Sequence, residues 1–260
     1  MEVLTPRSLR EALLVKADRP DAVAIQGGTD LMVALNFDRS RPATVLNLNE
    51  VAELRGWSRD NGTLRLGSAL TYAEAMRSEL AAELPALAEA SRTVGSPQIR
   101  NRGTIGGNLA TASPAGDALP PLHLESAEVE CASVRGVRRV PLDEFVTGVK
   151  RTVLAPDELI SAVWVTPSGA SQTFMKVGPR NAMVIAVVSL ALSAGEELRA
   201  SFGSAGPRPV LVTAPRAEAD TFAERVAAAA SPIDDVRGSA AYRRHALRVL
   251  ASRALERTMG

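Results

Sequence analysis

A chain of 260 residues, 46% hydrophobic and 23% charged with a formal net charge of +1, has the composition of a globular protein. Its arginines are scattered or lie opposite apolar residues on helical stretches, so nothing indicates a nucleic-acid partner. The single cysteine, Cys131, excludes an intrachain disulfide framework, a cysteine-ligated iron-sulfur cluster and a structural zinc site on this chain.

Thr5-Pro6 reads as the cap and first residue of a helix through SLREALLVKA, with Leu9, Leu13 and Leu14 on one face. The β-branched AVAIQ is a strand ending at Gly27-Gly28. Thr29 or Asp30 then caps a helix through LMVALNFD, and ATVLNLN from Ala43 is the next strand. From Thr63, TLRLGSALTYAEAM gives a strand, a loop and a capped helix. SELAAELPALAEASRTVG continues as helix, broken or bent at Pro85, which lacks an amide donor. AEVECASV, RRVPL and ELISAVWV read as strands, and the first region ends near residue 166 at TPSGAS. QTFMKVG, VIAVVSLALSA and LRASFGSAG then predict a three-stranded antiparallel meander. Two helices close the chain, through APRAEADTFAERVAAAA and SAAYRRHALRVLASRALERTM.

The pattern is α+β in two domains, 1–166 (with parts of about 1–55 and 56–166) and 170–260. The N-terminal MEVLTPRSLREALL has no apolar run suited to a secretion signal. The longest apolar stretch, AMVIAVVSLALSA from Ala182, falls short of the roughly 18 residues that span a bilayer, so a cytoplasmic location is expected. His123 and His245 have no ligand spacing between them and read as packing or surface residues. With so little chemistry on its own side chains, the chain calls for a bound cofactor.

Two segments share a plan of apolar residues, a Gly-Gly pair and a small polar residue: AVAIQGGTDLM and RGTIGGNLATASPAGD. Glycine leaves no Cβ in the way and lets successive amides converge on an anion, so two such turns facing each other suit a pyrophosphate, one loop per phosphate. Neither fits G-x-G-x-x-G after a strand nor G-x-x-x-x-G-K-[ST], which disfavours a Rossmann or P-loop site.

Taken in order, QGGTDL, LGSALTYAE, TIGGNLATASPAGD, LAPDELI, FMKVGPRNA and DDVRGSAAYRRHAL resemble the FAD-binding subunit of the xanthine dehydrogenase and carbon monoxide dehydrogenase family of molybdenum hydroxylases. The resemblance covers essentially the whole chain. It implies an FAD-binding domain of the vanillyl-alcohol oxidase (PCMH) type, followed by a smaller domain of a three-stranded antiparallel sheet with helices. It also implies an electron-transfer role between an iron-sulfur small subunit carrying two two-iron clusters and a final acceptor. It further implies a molybdopterin-binding large subunit that hydroxylates the substrate, in a dimer of heterotrimers. Carried over by position, the FAD contacts are Ala24, Ile25, Gln26, Gly27, Gly28, Thr29, Asp30 and Leu31 in the first loop. The second loop gives Thr104, Ile105, Gly106, Gly107 and Asn108, with Ser113 and Asp117 beyond it. Val94, Ile160 and Lys176 complete the set, Lys176 as a cation near the isoalloxazine that would favour its reduced, anionic form. Many relatives carry an acid before IA where this chain has Val184, a departure that leaves a quinone, a protein carrier or oxygen beside NAD as acceptor. Two other readings are a stand-alone flavoenzyme of the vanillyl-alcohol oxidase type and a non-catalytic nucleotide-binding assembly module.

Overall fold

The computed structural model describes residues 1–260 and has no helix long and apolar enough to cross a membrane. Three short strands, β1 (Glu2–Leu4), β2 (Val23–Ile25) and β3 (Thr44–Asn47), form a parallel sheet with β3 at its centre. Parallel neighbours need crossover connections, and the helices Leu9–Asp18 and Leu31–Asn36 supply them. Ser8, not Thr5, caps the first helix: its hydroxyl accepts the Glu11 amide at 3.2 Å. Leu9 and Leu13 pack inward while Leu14 is 54% exposed, because one residue turns the helix by about 100°.

An antiparallel sheet follows, built from β4 (Trp57–Asp60), β5 (Thr63–Gly67), β6 (Glu128–Ser133) and β7 (Gly136–Pro141). A two-stranded ribbon of β8 (Val146–Gly148) and β9 (Arg151–Thr152) lies apart from it, and β10 (Leu159–Val165) returns to its centre, giving the order β4-β5-β10-β6-β7. One face buries the main core, including Leu64, Leu66, Val129, Val163 and Phe145. The other face meets the first sheet through Leu46, Leu54 and Leu159. Between β5 and β6 run the helices that frame the cleft. Thr71 and Glu74 form a capping box, and Pro85 sits at the first position of Pro85–Thr93, where a missing amide costs nothing.

The third sheet is also antiparallel but has four strands, not three: β11 (Ser171–Val177), β12 (Val188–Ala194), β13 (Glu197–Gly203) and β14 (Val210–Pro215). β14 hides in the sequence because Pro207, Pro209 and Pro215 surround it; as an edge strand paired only to β13, it tolerates them. The helices Ala219–Ala228 and Ala240–Met259 pack on this sheet through Phe222, Val226, Leu247 and Leu250. The apolar stretch from Ala182 is strand only from Val188; before that Met183 takes a left-handed φ of 51° in a loop.

Candidate functional site

The turn after β2 and the stretch from Thr104 to Asp117 face each other across a cleft of about 690 Å³. Ala24, Ile25, Gln26, Gly27, Gly28, Thr29, Asp30, Leu31, Val94, Thr104, Gly107, Asn108, Ser113 and Asp117 all line it. A second lobe of about 420 Å³ adjoins it, with Ala24, Gln26, Thr104, Gly107 and Ala110 as shared wall. Ile160 belongs to this lobe, beside Leu48, Leu154, Pro156 and Leu159. Two charged residues of the lobe are already engaged: Lys16 Nζ donates to the Pro20 and Ala22 carbonyls at 2.8 and 2.6 Å, and Arg138 grips Glu158 at 2.7 and 2.8 Å. Burial pulls the Lys16 ammonium below its ordinary range, and the hydrogen bonds from Arg138 hold the Glu158 carboxyl below its own. Apart from the exposed Asp21, what remains of the lobe is a largely apolar slot.

The two glycine pairs act differently, where the sequence argues for one phosphate each. Gly28 turns the chain with φ +75°, and the amides of Gly27, Gly28, Thr29 and Asp30 donate to no group in the protein. Successive unengaged amides around a left-handed residue form an anion-binding nest. The second pair lies instead in the first turn of the Ile105–Thr111 helix, and its amides are occupied. Gly106 N–H donates to the Ser68 carbonyl at 2.9 Å, and Gly107 N–H to the capping Thr104 hydroxyl at 3.0 Å. This pair contributes room. A Cβ on Gly106 would lie 2.6 Å from the Ser68 carbonyl oxygen, so its absence lets the helix approach β5. A Cβ on Gly107 would meet only the Thr104 hydroxyl, at 3.0 Å, and otherwise face the open cleft. Gly27 joins the two segments from behind, since a Cβ there would overlap the Arg102 carbonyl.

Three buried side-chain oxygens at the cleft have no hydrogen-bond partner in the protein: Gln26 Oε1, Asn108 Oδ1 and Asp117 Oδ1. Each such atom ordinarily costs about 1–3 kcal/mol, so three lining one cleft point to a ligand with polar edges, whichever way the two amides are turned. The other Asp117 oxygen accepts from Lys176 Nζ at 2.6 Å, and Lys176 also donates to the Thr93 carbonyl at 3.2 Å. Lys176 therefore stands behind Asp117 and does not line the cleft as a free cation; both side chains are at least nine-tenths buried. Burial pushes the Asp117 carboxyl above its ordinary range, against the pull of Lys176. Tyr72, buried on the same wall, is raised by burial and by the charge of Asp117.

Lys176 reaches this position because β11 is clipped to the Pro85–Thr93 helix. Glu89 accepts from the Thr173 hydroxyl at 2.9 Å and the Phe174 amide at 2.7 Å, while Phe174 buries against Ala86, Ala90 and Leu124. Ile105 lies buried beneath the cleft wall, and Gly106, though buried, lines the smaller lobe. Tyr72, Ile99 and Ile185 line the cleft without having been singled out. Tyr72 had a signal, as a rare aromatic in a chain with only 3% of them. Val184 lines the cleft as well and presents an apolar side chain there.

Residues 1–167 match the family model of the FAD binding domain in molybdopterin dehydrogenase. The chain is 34% identical over 214 residues to the xanthine dehydrogenase FAD-binding subunit of Escherichia coli O157:H7, covering 78% of this chain and 73% of that one. It is 30% identical over 269 residues to the nicotine 6-hydroxylase medium subunit of Paenarthrobacter nicotinovorans, covering 96% and 94%. Carbon monoxide dehydrogenase from Hydrogenophaga pseudoflava superposes with a TM-score of 0.91 at 25% identity, over 100% of this chain and 97% of that one. Quinoline 2-oxidoreductase from Pseudomonas putida 86 gives 0.91 at 26% identity, over 99% and 96%. The motifs, the two-lobed cleft and these matches agree: the chain belongs to the family of FAD-binding subunits of molybdenum hydroxylases.

Proposed function

We propose that this chain holds FAD across both lobes and serves as the electron-transfer stage of a molybdenum hydroxylase. In this reading residues 1–166 form the FAD-binding domain and 170–260 a second domain that completes the cleft. The observation that carries it is the nest of four unengaged amides, Gly27 to Asp30, beside a cleft with three unpartnered oxygens. The amides would hold the pyrophosphate. The slot at Leu154, Pro156, Leu159 and Ile160 would hold the flat adenine, and the larger lobe the isoalloxazine. When bound, FAD supplies the one- and two-electron chemistry that no side chain here offers. The protein's part is to orient and shield: Gln26, Asn108 and Asp117 would pair with polar edges, and Val94, Ile99 and Val184 would exclude water. Lys176 would bias Asp117 toward the ionised, accepting state. Partner subunits would carry molybdopterin and two-iron clusters, in a dimer of heterotrimers located in the cytoplasm.

Co-purification with the large and small subunits, followed by a visible spectrum, tests this. A flavin band near stoichiometric with the chain, bleached on adding substrate to the complex but not to the isolated chain, is the expected result. A complex with no flavin after gentle handling would overturn it, and bleaching of the isolated chain would favour a stand-alone flavoenzyme.

A further inference from the structure

A third cavity, of about 320 Å³, lies beside the Thr71–Thr104 bridge and is lined by Arg55, Arg77, Arg102, Asn49, Asn101 and Glu74 among others. It shares Gln26 and Thr104 with the cleft but includes neither glycine pair. None of its three guanidiniums has a carboxylate partner. Arg55 donates to the Asn49 backbone carbonyl at 2.5 Å, Arg102 to the Asn49 side chain at 3.1 Å and the Gln26 carbonyl at 3.4 Å, and Arg77 to nothing in the protein. The one acid, Glu74, is turned into its capping box, where Oε2 accepts the Thr71 amide at 2.8 Å and hydroxyl at 2.7 Å. The cavity therefore carries two net positive charges and a surplus of donors, with Ala69 and Ala73 leaving space between them.

We propose that this cavity is a binding site for a phosphate-type dianion, separate from the cofactor cleft. Planar guanidiniums match phosphate oxygens two at a time, and charge-assisted hydrogen bonds are roughly twice as strong as neutral ones. The volume suits a free phosphate or the phosphate end of a small ester and is too small for a dinucleotide. Arg102 links the site to the cleft, since its side chain holds the Gln26 carbonyl and its own carbonyl backs Gly27.

The test is calorimetric titration of the FAD-loaded full chain with inorganic phosphate at fixed ionic strength, flavin absorbance being recorded on every sample. The expected result is one saturable site, weakened about tenfold or more in Arg77→Gln and unchanged in Arg253→Gln, an exposed arginine elsewhere. Arg77 has no partner to lose, so its variant should fold normally. Tighter binding of ribose 5-phosphate than of phosphate would assign an ester as ligand, and equal or weaker binding the free anion; both support the site. No saturable heat, or equal binding in both variants, would overturn it. Binding by the chain that disappears in the assembled complex would assign the arginines to a partner's carboxylates, and would overturn it also. Loss of phosphate binding with flavin retained refutes this site alone; loss of flavin with phosphate binding retained refutes only the cofactor reading.

Discussion

Gly107 separates the two demands made on a glycine. Its missing Cβ has open cleft before it, so a larger side chain would enter the ligand's space rather than the core. Gly107→Leu is expected to abolish flavin retention while leaving the melting temperature of the flavin-free chain within a few degrees; full flavin retention would refute the placement of the cofactor. Gly106→Leu should instead damage the fold, because the Ser68 backbone cannot yield. His123 gives a pH signature. It is buried, its Nδ1 lies 3.1 Å from the Ser201 hydroxyl, and burial lowers its pKa from 6.5 to about 4. The unfolded chain therefore takes up a proton that the folded chain refuses, and stability should fall as pH drops from 6.5 toward 4, then level off. The full effect is about 3 kcal/mol. Urea midpoints at pH 7 and pH 5 should differ less in His123→Gln; an unchanged difference would show that His123 is not the group responsible.

At the scale of elements, the Ile105–Thr111 helix is positioned by its cap. Removing the Thr104 hydroxyl frees the Gly107 amide and should cost about 1 kcal/mol, so Thr104→Ala is expected to lower the denaturation midpoint and loosen FAD, read as faster flavin loss on dilution. The sequence made this element look like a loop. TIGGN carries two residues that disfavour helix, and only the packing of Gly106 on Ser68 and the capping hydroxyl reveal why a helix forms there. The Pro85 break, the capped helix after TLRLGSAL and the strands β6, β7 and β10 were legible because local chemistry decides them. β14 was not, since prolines surround a strand that only its pairing with β13 specifies. Nor was the division of labour between the glycine pairs legible, because it depends on which carbonyls happen to lie nearby. The two glycine turns that flank the cleft were readable from the motifs, whereas its apolar lining at Tyr72, Ile99 and Ile185 was not; the cation behind Asp117 required the register of β11 against the Pro85–Thr93 helix.

At the scale of the molecule, the Lys176–Asp117 pair ties the third sheet to the segment that forms the cleft wall. Breaking a buried pair from one side strands a charge, at about 3 kcal/mol or more, whereas removing both partners is often far milder. Lys176→Met should therefore be less stable than Lys176→Met with Asp117→Asn, measured as denaturation midpoints in a double-mutant cycle. A double variant no more stable than the single would show that the pair is not coupled. Protein synthesis gives the same contact a temporal meaning. The ribosome delivers Asp117 well before Lys176, so the nascent cleft wall holds a carboxylate whose counter-charge is not yet folded beside it. The charge balance of the cleft wall is thus completed only once β11 has been made and has paired, well after both glycine turns.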